Sequence, residues 1–150
     1  MSLLSASSEQ SRWRGYEYFK AKKVSGLEKT GEDRYHAFVA GTGKEPYEVT
    51  IDLKHVRQSS CTCPHAAGRR IICKHMIAAF FTAFPQEAQD YYENILKAEE
   101  EWEEYQKELN DNLERYVHSL KKRELQELLL ELLYSGPEWQ LDRFIRDYIE

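Results

Sequence analysis

The stretch "CTCPHAAGRRIICKH", residues 61–75, contains all three cysteines of the 150-residue chain. Cys61 and Cys63 are separated by one residue, and Cys73 and His75 repeat that spacing after a nine-residue spacer. Thiolates and imidazoles are ligands that Zn²⁺ prefers, and a structural zinc ion takes four of them in a tetrahedron. The pattern therefore predicts one structural zinc site.

The two ligand pairs require different local structures. Residues i and i+2 of a strand point to the same face, so Cys61 and Cys63 can bind one ion from a strand end. Residues i and i+2 of a helix lie roughly 200° apart, so Cys73 and His75 cannot share one helix face. They converge if Cys73 precedes the first turn and His75 lies within it. The spacing thus predicts a strand end joined by metal to a helix start.

Several alternatives to a structural zinc compete for the same side chains. The cysteines could be core residues, a Cys–His nucleophilic pair, or a redox switch at Cys61 and Cys63. His65 could replace His75 as the fourth ligand. Three thiolates and one imidazole close the tetrahedron and leave no position for a reactive water molecule, which disfavours a catalytic zinc. We expect no enzymatic activity and assign no catalytic residue.

The residues around the cysteines predict an α+β fold. We expect a small antiparallel sheet and a short buried helix around the zinc site, followed by an all-helical C-terminal segment. The alternating runs 34–40 and 47–53 favour strands, as does the run that ends at Gly31. The predicted helices are residues 11–24, residues 74–84, a long one from Gln86, and two more before and after "GP" at 136–137. An extended piece, "VRQSSCTC", leads into the cysteines.

Charge divides the chain into two segments. Residues 1–84 hold 13 Lys/Arg and 8 Asp/Glu, whereas residues 85–150 hold 8 and 18. We therefore predict a zinc-binding domain at 12–84 and an acidic helical segment at 86–150.

The longest apolar run, "MIAAFFTAF", has nine residues against the roughly 20 that span a bilayer, so we expect no membrane association and a cytoplasmic location.

The two ligand pairs resemble the Cys-x-Cys and Cys-x-His pattern of the SWIM zinc finger family. The resemblance extends upstream to Gly15 and Tyr18 and downstream into "CKHMIAA", so that it covers roughly residues 12–84. It implies a small ββα-type zinc unit with Cys61, Cys63, Cys73 and His75 as its ligands. Members of this family are thought to bind DNA or proteins.

The loop between the ligand pairs carries basic residues that invite two interpretations. Arg69 and Arg70 follow Gly68, and Lys74 lies beside the second ligand pair. A rigid basic loop could contact nucleic-acid phosphates. Alternatively, these cations could stabilise the formal charge of −1 that three thiolates and Zn²⁺ leave. The sequence favours neither interpretation over the other.

A second basic stretch lies near the N-terminus and includes Arg12 and Arg14 as candidate nucleic-acid contacts. Aromatic residues alternate with its cations, namely Trp13, Tyr16, Tyr18 and Phe19. Such aromatics can stack on bases. At these spacings, however, they more often pack on a sheet, which is the interpretation that we favour.

An apolar stripe runs along the long predicted helix from Tyr91 to Leu120. Its first six members are spaced by 4, 3, 4, 3 and 4 residues, the heptad spacing of a coiled-coil seam. The stripe could pack on the chain's own later helices, pair with a second copy in a homo-oligomer, or bind a protein partner.

Taken with the zinc site and the basic residues, these features lead us to expect a zinc-binding adaptor for nucleic acid (DNA), a protein, or both. The alternative is a pure protein–protein scaffold acting through the acidic helices.

Overall fold

A computed structural model of the chain describes residues 2–149 and shows five α-helices and four strands in this part of the chain. In chain order these are α1 (Glu9–Lys20), β1 (Val24–Gly31), β2 (Arg34–Val39), β3 (Tyr47–Asp52), β4 (Ser60–Cys61), α2 (Lys74–Ala83), α3 (Pro85–Ser119), α4 (Lys122–Ser135) and α5 (Glu138–Tyr148). None of the helices in these residues combines the length and the apolar character that a membrane crossing requires.

The strands form one antiparallel sheet in the order β1-β2-β3-β4. Ala37 of β2 lies opposite Val49 of β3, and Val49 lies opposite Cys61 of β4. Val39 and Ile51 are buried on the same face, as the alternation of apolar residues predicts. The predicted small antiparallel sheet is confirmed, and its register places Cys61 at the edge where the chain leaves the sheet.

Helix α2 lies between the sheet and α1. Seven of its ten residues are buried, because apolar side chains surround the helix on nearly every side. Gly15 makes the contact with α1 close: a Cβ atom there would lie 2.5 Å from Cβ of Ile77 and 2.9 Å from the backbone oxygen of Lys74. Only a glycine permits this separation of the two helices.

The aromatic residues of α1 are largely core residues, as favoured above, but their main partners are helices. Tyr16 packs edge-on against Phe81 of α2, with ring centroids 6.1 Å apart. On its other side it stacks on Tyr92 of α3 at 5.2 Å. The expectation that these side chains pack on the sheet is therefore wrong for Tyr16, since α2 lies between α1 and the sheet.

The piece that precedes the cysteines is not extended throughout. Residues Val56–Gln58 form a short 3-10 helix, and only Ser60 and Cys61 pair as a strand. Asp52 explains this turn: its carboxylate accepts a hydrogen bond from the backbone N–H of His55, and its own N–H donates to Ser59 Oγ at 3.0 Å. The prediction of an extended piece is wrong for Val56–Gln58, because these local hydrogen bonds bend the chain.

The chain divides into two compact units, one up to Leu96 and one from Lys97 onward. The division falls within α3, so the first turns of this helix belong with the sheet and α2. The second unit holds the rest of α3 together with α4 and α5. The three predicted C-terminal helices are confirmed, and the Gly136-Pro137 pair separates α4 from α5.

Candidate metal centre and its basic surroundings

The four predicted zinc ligands lie together in the first unit. One ligand atom from each of Cys61, Cys63, Cys73 and His75 lies within 4.8 Å of all the others. All four side chains are buried, with exposed fractions of 1% to 4%. Side chains from two separate parts of the sequence thus form one compact Cys₃His group.

The local structure positions these ligands as the spacing requires. Cys61 ends β4, and the backbone N–H of Cys63 lies 3.5 Å from the Cys61 sulfur atom, to which it donates. Cys73 is the N-cap residue of α2 with an extended backbone, and His75 lies in the first helical turn. The predicted junction of a strand end with a helix start is confirmed.

The distances within the group fit a tetrahedral zinc ion. His75 Nδ1 lies 3.7 Å from the sulfur of Cys61 and 3.8 Å from that of Cys73. Zinc bonds of about 2.3 Å to sulfur and about 2.1 Å to nitrogen place tetrahedral neighbours about 3.6 Å apart. Zinc bound here by three thiolates and Nδ1 of His75 would have no open coordination position, so the site is structural.

The protein favours thiolate formation at Cys73. A hydrogen bond from Cys61 lowers the pKa of Cys73 below its usual range, and the His75 side chain and the backbone N–H groups of Met76 and His75 act in the same direction. The same hydrogen bond, together with burial, raises the pKa of Cys61. Zinc must displace the remaining thiol protons, so its affinity falls as the pH falls.

Two tyrosines and a lysine enclose His75. The Tyr47 ring lies 4.7 Å from the imidazole centroid, and the Tyr18 ring approaches it edge-on at 5.4 Å. Lys74 Nζ donates a hydrogen bond to the Tyr18 hydroxyl at 2.8 Å. These contacts hold the His75 imidazole in one orientation before zinc binds. This supports metal binding, because the side chain needs little further ordering when the ion enters.

A cavity of about 250 Å³ borders the metal centre, and three cationic or titratable side chains line it. Arg14, His65 and Lys74 line this cavity together with Cys63, Cys73 and other residues. Arg14 and Lys74 are therefore placed to stabilise the charge of a zinc–thiolate group. His65 is exposed and is not a member of the four-ligand group, which Cys61, Cys63, Cys73 and His75 complete.

The remaining predicted basic contacts lie in different surroundings. Arg12 donates to the backbone oxygens of Leu4 and Ser7 at 3.0 and 2.8 Å, so its guanidinium holds the N-terminal segment in place. Arg69 and Arg70 are exposed in the loop between the ligand pairs. Thus Arg12 has a structural contact, whereas the loop arginines face solvent.

Sequence inspection missed the residues that accompany Arg70. Lys54 and Arg57, from the turn after β3, line a cavity of about 420 Å³ together with Arg70. None of the three cations forms an ion pair with a carboxylate in residues 2–149. We call this surface the basic groove. The signal in the sequence was "KHVR" at 54–57, which three residues separate from Cys61, but only the turn at Asp52 brings it to the loop.

The geometry defines the first unit as a zinc-binding module with a structural Cys₃His site. The family model of the SWIM zinc finger matches residues 47–84, which include β3, β4, all four ligands and α2. This segment is similar to the SWIM zinc finger family, so the predicted resemblance is confirmed for these residues. No curated protein and no solved structure matches the chain significantly.

Proposed function

We propose that the chain is a non-enzymatic adaptor whose zinc-binding unit binds nucleic acid through the basic groove. The observation that supports the proposal is the convergence of Lys54, Arg57 and Arg70 without carboxylate partners. Phosphate oxygens are the natural counterions of such a cluster, and Arg presents paired N–H donors to them. Zinc would act indirectly, by fixing the loop that carries Arg70.

The charge of the zinc-binding part of the chain agrees with this assignment. Residues 1–84 carry a net charge of +5, and three acidic residues at 85–96 reduce that of the first unit to +2, whereas the whole chain carries −5. Lys54 also borders a depression that holds Glu32 and Asp33, so Arg57 and Arg70 are the main phosphate contacts in this proposal. Arg14 and Lys74 lie beside the thiolates, where neutralisation of the metal site is their first role.

A salt titration tests the proposal. We expect a fluorescein-labelled DNA duplex to bind the zinc-loaded chain with an affinity that falls with salt, with a log–log slope of about −3 for three phosphate contacts. Arg57→Glu/Arg70→Glu should abolish binding at low salt. Lys20→Glu/Lys44→Glu changes the charge equally at exposed positions outside the groove and should retain most of the affinity.

The results that would contradict the proposal are specific. If both double variants lose affinity equally, binding reflects net charge and not the groove. If the native chain fails to bind DNA or RNA at low salt, the nucleic-acid function is wrong. Circular dichroism and zinc content should be equal in all three proteins, so that loss of fold cannot imitate loss of contacts.

A protein partner is a second candidate, and the helical unit supports it. The apolar stripe on α3 is solvent-exposed beyond Lys97, with Trp102 and Tyr105 both more than half exposed. Large exposed apolar patches mark interaction sites in soluble proteins. Both functions are compatible in one adaptor, because they use different units of the chain.

A further inference from the structure

The exposed part of the apolar stripe on α3 forms a continuous surface. Its large members are 50% to 61% exposed, and they follow one side of the helix: Trp102, Tyr105, Leu109, Leu113 and Tyr116. At about 1.5 Å per residue this surface is about 21 Å long, which corresponds to four turns of a helix laid alongside it. We call it the α3 stripe.

Glutamates lie along both edges of the α3 stripe. With roughly 100° between successive residues, Glu99 and Glu103 follow one edge, and Glu101 and Glu108 follow the other. Lys107 lies on the opposite side, whereas Lys97 and Arg115 lie just beyond the edge of Glu101 and Glu108, and Lys97 Nζ is 3.8 Å from Glu101. Acidic residues still dominate this part of the helix, because residues 97–119 hold 8 Asp/Glu and 3 Lys/Arg.

These edges decide which helix fits the stripe. A second copy of α3 would bring together two segments that each carry a net charge of −5 over residues 97–119. Repulsion between like charges opposes that pairing. A helix with an apolar seam and basic edges would bury the stripe and pair with the glutamates.

We propose that the α3 stripe binds a basic amphipathic helix of a partner protein. The proposal deepens the second candidate function, the binding of a protein partner, and does not depend on the basic groove. Glu101 and Glu108 select basic edges, whereas Trp102 and Leu109 supply the apolar contact. The division of labour follows a general rule, in which apolar anchors provide affinity and edge charges provide selectivity.

The proposal can be tested with two designed peptides of 28 residues. Both have leucine and isoleucine at the seam positions; one has lysine and the other has glutamate at the edge positions. We expect the lysine peptide to bind the full zinc-loaded chain in fluorescence anisotropy and the glutamate peptide not to bind. Equal binding of both peptides, or binding of neither, would overturn the proposal.

Variants locate the contact. Glu101→Lys/Glu108→Lys reverses the charge along one edge and should weaken the binding of the lysine peptide about tenfold. Glu100→Lys/Glu104→Lys changes the net charge equally on the far side of α3, and its affinity should change less than about twofold. Equal loss in the two variants would show attraction by net charge alone and would contradict the edge contacts.

Two further measurements complete the test. Trp102→Glu should abolish binding of the lysine peptide while circular dichroism shows unchanged helix content, because Trp102 is exposed in the chain. Sedimentation velocity of the native chain should show a monomer at the concentrations used. A dimer that Trp102→Glu dissociates would identify a second copy as the occupant and would overturn the proposal.

Discussion

The two units of this chain obtain their order from different sources. In the first unit, α2 is buried between the sheet and α1, and four ligands lie under 5% exposed. In the second unit most apolar side chains remain exposed, and pairs four residues apart, such as Lys97–Glu101 and Arg123–Glu127, support the helices locally. Each such pair contributes only about 0.3–0.5 kcal/mol. The comparison teaches that metal and core packing define one unit, whereas sequence-local helix formation defines the other.

Removal of the metal should have the largest effect on stability, and it should unfold the first unit while leaving the helices of the second unit formed. We expect chelation of zinc, or Cys73→Ser, to unfold the first unit, because zinc binding supplies about 10 kcal/mol or more in small sites and domains are stable by only about 5–15 kcal/mol. Amide NMR should show loss of dispersed signals from β1–β4, with the helical signals of α4 and α5 retained.

A neighbouring histidine provides the control for this experiment. His65→Ala removes an exposed imidazole that lies beside the centre but outside the ligand group. It should leave zinc content and melting temperature unchanged. If complete metal removal, verified by elemental analysis, left the thermal transition of the native chain in place, the structural role of zinc would be refuted.

The close approach of α1 to α2 offers a second way to disturb the first unit alone. A Cβ atom at Gly15 would lie 2.5 Å from Cβ of Ile77, so Gly15→Ala should destabilise this unit by about 1–3 kcal/mol through overpacking. Gly43→Ala is the matched control, because the nearest atom to its added Cβ is 3.7 Å away. Urea unfolding monitored by tryptophan fluorescence would measure both; equal stability of the two variants would contradict the close contact.

The parts that sequence could predict are those set by short-range pattern. Alternation gave β2 and β3, and the Cys-x-Cys and Cys-x-His spacing gave the ligand group, because both depend on the geometry of neighbouring residues. The basic groove was missed because it joins Arg57 and Arg70, which only the tertiary fold brings together. The turn at Val56–Gln58 was missed for a related reason: a side-chain hydrogen bond of Asp52 overrides the strand preference of the residues after it.

The smallest expected effect distinguishes an exposed stripe from a buried one. Tyr105 is 55% exposed, so Tyr105→Ala should change the free energy of unfolding by less than about 0.5 kcal/mol. A stripe packed inside a helical bundle would instead lose about 3–5 kcal/mol on truncation of a large aromatic side chain. Tyr16 is 8% exposed, so Tyr16→Ala makes the same substitution at a buried site and should lower the free energy of unfolding by the larger amount. Urea unfolding of both variants, followed by circular dichroism at 222 nm, decides between the two. A cost at Tyr105 equal to that at Tyr16 would mean that the stripe is covered in solution, and a near-zero cost would leave it available to a partner helix.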